Sequence, residues 1–400
     1  MHVGMTTFFQ NLSGNHTDKE VYQHELSMAD MAEPLGFESI WTAEHHFDNY
    51  TMCPNPLQFL TYMAARTERA LLGTMVMVLP WHDPVRVAEE VAVLDHMSNG
   101  RAILGVGRGL GRIEFNGFRV NMGESRERFV EYTEALIQGL ETGHIEYDGK
   151  FYKQPKIGVR PFPFASFKGR FYASAVSPES SRIMARLGIG IMIIAQKPWD
   201  KTLEELENYR EIYREMNNGE EAPQPLMVVF NGCHEDESVA NEIHKKYIRR
   251  YSQSALEHYE FNNEGLANIK GYEYYGGLSK NINKHGMDAF VDFLADLQVW
   301  GTPDQVYDRM RDYQELTNCS GFISGFSYGG MPHELSKESM RTFAEKVMPR
   351  LKALEVGPSI GGGQSLNIAA ESPRNRAAAR SVLMAISHDA ANARKSGASF

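Results

Sequence analysis

Cysteine is scarce in this chain: Cys53, Cys233 and Cys319 are scattered through 400 residues, and no two form a CxxC pair. That excludes a disulfide framework and leaves reduced thiols, as expected of a cytosolic protein. Long apolar runs are missing as well. None reaches the ~18 residues needed to span a bilayer, and the opening MHVGMTTFFQNLSG lacks the basic start and apolar core of a secretory signal. Positive charge is in deficit, with 41 Lys and Arg against 51 Asp and Glu and a net charge of −10. A surplus of that sign disfavours nucleic acid or an anionic membrane as main partner, while a local cationic pocket for a phosphate stays open. Repeats of solenoid period are absent too.

What is present is an alternation. Short apolar runs at about 2–8, 37–41, 70–79, 101–107, 170–176, 189–194, 225–231 and 320–327 are separated by longer amphipathic stretches. This βαβα rhythm predicts α/β architecture with a parallel sheet, and eight strands are the number that closes a (β/α)8 TIM barrel. Helix starts are well marked. Asp83 and Pro84 read as N-cap and first helical residue, with Val87, Val91 and Leu94 on one face and a stop at Asn99-Gly100. Thr302, Pro303 and Gln305 form a capping box, and Ser177-Pro178 opens a third helix. Nearly ninety residues separate strands seven and eight. They read as a charged helix at about 235–260, an irregular Gly-, Asn- and Tyr-rich stretch, and a helix at 286–298. Long insertions of this kind serve as active-site lids or as inert surface elaborations, and both readings stand here. The division is a barrel over 1–355 and a low-complexity tail over 356–400, expected to be flexible.

In such barrels chemistry gathers where strands end. The second strand runs into Glu44-His45-His46-Phe47. Neither HExxH nor a strand-borne HxH is present, so no metal site is expected, and one histidine is a candidate acid/base group. The fourth strand ends in Gly105-Val106-Gly107-Arg108-Gly109. As a dinucleotide fingerprint this lacks its acidic partner and helix start, so no NAD(P)H site is expected. A glycine-rich loop that offers Arg108 to an anion fits better, since a guanidinium grips phosphate bidentately. After the fifth strand, Ser177 and Ser180 place hydroxyls and free N–H groups at a helix N-terminus, a second anion-binding element beside the first.

Together these pieces resemble the bacterial luciferase-like, flavin-dependent monooxygenase superfamily. The likeness rests on AEHHF at 43–47, LGTMVMVLPWHDPVRVAEEVAVLDHMSNGR at 72–101, GVGRGLGRIEFNGF at 105–118, SPESS at 177–181, GTPD at 301–304 and PHELSKESMRTFAEKVMPRL at 332–351. The resemblance implies FMN at the strand ends, used in its reduced form, or coenzyme F420 in one branch of the family. On that analogy Arg108, Ser177 and Ser180 hold the flavin phosphate. Met75 and Val76 form a bulge behind the ring system, often with a cis peptide, and His45 handles protons at the flavin. The segment 255–290 takes the place of a mobile lid. A separate flavin reductase, O2, a small aldehyde, ketone or terpene-like substrate and a homodimer or heterodimer complete the expectation. Hydride transfer with F420 and a non-catalytic flavin-binding subunit are the alternatives. Gly107 stands where true luciferases carry a reactive cysteine, Thr6 falls near their first-strand aromatic, and Val176 replaces an acidic residue. Light emission is therefore not expected.

Overall fold

The structure, a computed structural model, describes residues 1–174 and 178–357. Eight parallel strands close on themselves: β1 His2–Thr7, β2 Ser39–Thr42, β3 Leu71–Thr74 with its continuation Met77–Val78, β4 Ala102–Gly107, β5 Phe171–Ser174, β6 Gly190–Ile194, β7 Leu226–Cys233 and β8 Gly321–Gly325. Neighbours pair in chain order, and β8 pairs with β1 to complete the cylinder. The TIM barrel read from the apolar runs is the observed fold. Its inside is a packed core of Trp41, Leu71, Met75, Ile103, Tyr172, Met192, Leu226, Val228 and Ile323. Trp41 is fully buried there, and a Cβ at Gly73 would lie 2.2 Å from its ring, so that strand position is held to glycine.

Local chemistry explains the helices. Asp83 accepts from the amides of Val85 and Arg86, Pro84 opens helix Pro84–Met97, and Asn99 and Gly100 leave it with positive φ. Thr302 and Gln305 form the reciprocal box that starts helix Pro303–Thr317. The N-terminal rim is locked by arginines that precede strands. Arg170 is bidentate to Asp95 at 2.7 and 3.1 Å and also donates to the carbonyls of Gly100, Ala102, Ala165 and Ser166. Arg101 donates to four carbonyls and the Thr67 hydroxyl.

Two expectations need correction. The third strand is not continuous over 70–79, because a cis peptide at Met75–Val76 interrupts it. The Gly- and Asn-rich part of the insertion contains a helix, Tyr274–His285, whose Tyr275, Gly276, Ser279 and Ile282 are buried. Tertiary burial there outweighs poor helix propensity. The rest of the insertion is a long helical stretch from Glu237 to His258 with a π-helical turn at Ile243–Ile248, then helix Met287–Asp296 and a short strand Val299–Gly301 on β7. An unforeseen hairpin, His144–Asp148 with Lys153–Gly158, sits between β4 and β5. The insertion has its own apolar cluster, including Leu256, Phe261, Tyr272, Tyr275 and Leu294, which packs on Phe115 and Met122 at the barrel's C-terminal end. Residues 356–357 are all that is described of the expected tail.

Candidate functional site

β2 ends at Thr42, and the following residues turn across the barrel rim. Glu44 and His45 go opposite ways. The Glu44 carboxylate accepts from the Val78 amide at 2.7 Å and Trp81 Nε1 at 2.9 Å, and lies 2.6 Å from His82 Nε2 and 3.0 Å from His46 Nε2. Burial alone would raise its pKa, but the bonds from His46, His82 and Val78 overcome that and hold it down to about 2. His82 moves the opposite way: burial lowers it, and the Glu44 contact outweighs burial and leaves it raised. This clasp ties the ends of β2 and β3 together and absorbs His46.

His45 faces the site. Its Nδ1 is 3.0 Å from Glu114 Oε1, and its Nε2 is 3.2 Å from the Tyr259 hydroxyl. Glu114 belongs to helix Arg112–Phe118, which follows β4, and it also accepts from the His46 amide at 3.0 Å. From the insertion, His258 brings its Nε2 to 3.9 Å from the same carboxylate, while its Nδ1 is 2.7 Å from Asp48 Oδ2. Burial pushes Asp48 up, but the His258 contact prevails and lowers it. Tyr50 and Tyr259 are kept neutral by burial, far above the ordinary phenol range. An imidazole held between a carboxylate and a phenol can take up and release a proton without moving.

The second pole lies at the end of β4. Arg108 Nη1 donates to the Gly271 carbonyl at 2.6 Å, and its guanidinium lies 4.1 Å from the centre of the Tyr272 ring. Arg126, on helix Ser125–Thr142, donates to the same carbonyl at 3.2 Å, and its Nε is buried with no partner. Arg126 also lies 3.8 Å from Glu179, in the first turn of helix Pro178–Arg186. Two cations therefore converge on one neutral oxygen beside a helix N-terminus. Glu179, largely exposed, and Glu127 and Glu273 offset part of this charge, but the unpartnered Arg126 Nε and the helix N-terminus still suit an anion. Tyr272 closes the contact from the insertion side, with its hydroxyl 2.8 Å from the Gly109 carbonyl and 2.9 Å from Ser125 Oγ.

Of the residues expected here, Arg108 stands at this pole, and Ser180 lies in the helix whose first turn meets Arg126. Ser177 and Val176 lie outside the described residues. Met75 and Val76 sit between the two poles at the break in β3, with Met75 in the barrel core and Val76 partly buried against it. Gly107 has a local reason: a Cβ there would come within 2.4 Å of Val76 Cγ2, so a cysteine and this Val76 exclude one another. Glu114 and Arg126 were not foreseen. The only signal for them is position, each on a helix start after the glycine-rich loop, and their partners come from distant segments.

A family model described as luciferase-like monooxygenase matches residues 1–318. The alkanal monooxygenase alpha chain of the Kryptophanaron alfredi symbiont is 26% identical over 337 residues, 84% of this chain and 94% of that one. The oxygenase component of the flavin-dependent trigonelline monooxygenase of Acinetobacter baylyi is 25% identical and covers 89% of this chain and 97% of its own. Among solved structures, monooxygenase RslO1 from Streptomyces bottropensis superposes with a TM-score of 0.71 at 25% identity, covering 88% of this chain and all of that one. An F420-dependent secondary alcohol dehydrogenase, 16% identical with a TM-score of 0.64 over 87% of this chain and 98% of its own, shares the fold alone.

Proposed function

Because the chain belongs to the luciferase-like monooxygenase family and is an enzyme of that flavin-dependent class, we propose that it works with reduced FMN supplied by a separate reductase and oxygenates a small apolar aldehyde, ketone or terpene-like molecule. The observation that carries this reading is the convergence of Arg108 and Arg126 on one carbonyl, with Arg126 Nε buried and unpartnered. A flavin phosphate satisfies that set better than Gly271 does. When bound, a reduced flavin supplies the electrons that activate O2.

The protein's own residues do the rest. Arg108, Arg126, Ser180 and Ser177 hold the phosphate. Met75 and Val76 offer an apolar edge to the ring system. His45 holds or releases a proton at its ring nitrogens, and Glu114 fixes its orientation through the 3.0 Å contact. The insertion acts as the lid. Between the ends of β6 and β7 and the insertion's Tyr251, Ala255 and Leu294 the remaining cavity is about 10 Å3, about the space of a single water, so the insertion packs closely there. Admitting the cofactor lifts Gly271 and Tyr272 off Arg108.

The test is anaerobic loading with reduced FMN or reduced F420, followed by 18O-labelled O2 in the presence of aldehydes, cyclic ketones and terpenes. The account expects labelled product with FMN. Substrate reduction by F420 without oxygen uptake would replace it with hydride transfer, and binding without any turnover would leave a carrier subunit. His45→Ala is expected to keep flavin affinity, lose product and release more hydrogen peroxide, and unchanged coupling would remove His45 from the chemistry.

A further inference from the structure

The clustering of His45, Glu114 and His258 does more than orient a base. One ligand-capable atom from each lies within 4.8 Å of the others. Both histidines have their second nitrogen engaged from behind, His258 Nδ1 by Asp48 at 2.7 Å and His45 Nε2 by the Tyr259 hydroxyl at 3.2 Å. Asp48 holds the His258 ring through Nδ1, which aims its Nε2 at the Glu114 carboxylate 3.9 Å away. That nitrogen is buried and has no hydrogen-bond partner, and the His258 side chain is 1% exposed. A buried ring nitrogen without a hydrogen-bond partner, aimed at a carboxylate, leaves a place for a cation between them. Histidines backed by a carboxylate or hydroxyl, with a carboxylate as third ligand, form a borderline-soft donor set suited to Zn2+.

We propose that His45, Glu114 and His258 form a divalent-cation site of the zinc class, assembled when the insertion lies on the barrel. Ligands at about 2.0–2.1 Å in tetrahedral array stand ~3.4 Å apart, so the 3.0 and 3.9 Å contacts to Glu114 need small adjustments, while the two histidines, within 4.8 Å of one another, draw together on binding. A pocket of about 310 Å3 lined by Asp48, Arg112, Asn116, Glu257, His258 and Glu260 reaches the His258 side of this set. Since His45 and Glu114 belong to the barrel and His258 to the insertion, a bound ion staples the lid shut and removes His45 from other work. Zinc bound there opposes opening of the insertion.

The experiment uses the full, untagged, chelator-treated chain titrated with Zn2+ by calorimetry and with Co2+ by visible absorption. One equivalent should bind, with the absorption of tetrahedral Co2+. His258→Gln and Glu114→Gln should each weaken binding at least tenfold, and Asp48→Asn, a positioning change, should weaken it by about ten- to a hundredfold. His24→Ala, which removes a ring stacked on His333 at 3.9 Å in another part of the molecule, should leave binding unchanged. Zn2+ should also slow proteolysis of the insertion in the unsubstituted chain and not in His258→Gln. Absence of stoichiometric binding by the unsubstituted chain, or affinity retained in both His258→Gln and Glu114→Gln, would overturn the site. Thermal unfolding of each variant separates lost binding from lost folding.

Discussion

The two ends of the barrel treat arginine differently. At the N-terminal rim Arg170 is 3% exposed and every arm is engaged, with Asp95 neutralising its charge and four carbonyls taking the remaining donors. At the C-terminal rim Arg108 and Arg126 share a single neutral oxygen, and one buried N–H is left over. A guanidinium whose donors are all engaged by its own fold holds strands together, whereas one that keeps a buried donor unengaged is kept for something that arrives from outside. Glu44 shows that the distinction follows saturation rather than location, because it lies at the site end yet is fully occupied.

The contrast can be broken most forcefully at the bottom. Arg170→Ala leaves Asp95 buried and uncompensated, so chemical denaturation should show a loss of about 3–5 kcal/mol, while flavin affinity of the folded fraction stays unchanged. Next comes acid. Glu44 sits near 2 in the folded chain and near 4.5 when unfolded, so its contribution is present above about 4.5 and is lost as pH falls toward 2. Glu44 is thus worth roughly 3 kcal/mol by linkage, and Glu44→Gln should flatten that part of the stability–pH curve. At the other rim Arg108→Ala should reduce flavin affinity ten- to a hundredfold, the loss of a charge-assisted contact of roughly 1.5–3 kcal/mol, with little change in unfolding. Arg126→Ala should act in the same direction but more weakly, about tenfold. If Arg108→Ala instead unfolds the chain and leaves affinity intact, the two rims do not differ in the way described.

Much of the scaffold was legible before the structure. Eight apolar runs became eight strands, and Asp83-Pro84 and Thr302-Gln305 became capped helix starts, because these signals are local. The hairpin His144–Asp148 with Lys153–Gly158 escaped notice since one strand is largely exposed and carries no apolar alternation. Helix Tyr274–His285 was hidden by Gly276, Gly277, Asn281 and Asn283, residues that favour other conformations until burial decides. At the site, His45 and Arg108 could be named from strand ends. Glu114, Arg126, His258 and Tyr259 could not, because their roles come from contacts between distant segments, 69 residues apart for His45 and Glu114 and more than a hundred for those with the insertion. No metal site was expected because no local motif is present, and a site assembled across such distances has no motif to read.

Riboflavin, which is FMN without its phosphate, shows whether Arg108 grips that phosphate. Fluorescence titration of the original chain and Arg108→Ala with both ligands forms a double-mutant cycle. The original chain should favour FMN by at least tenfold, and Arg108→Ala should lose most of that preference. Equal affinity of the original chain for the two ligands, or an undiminished preference in Arg108→Ala, would contradict it.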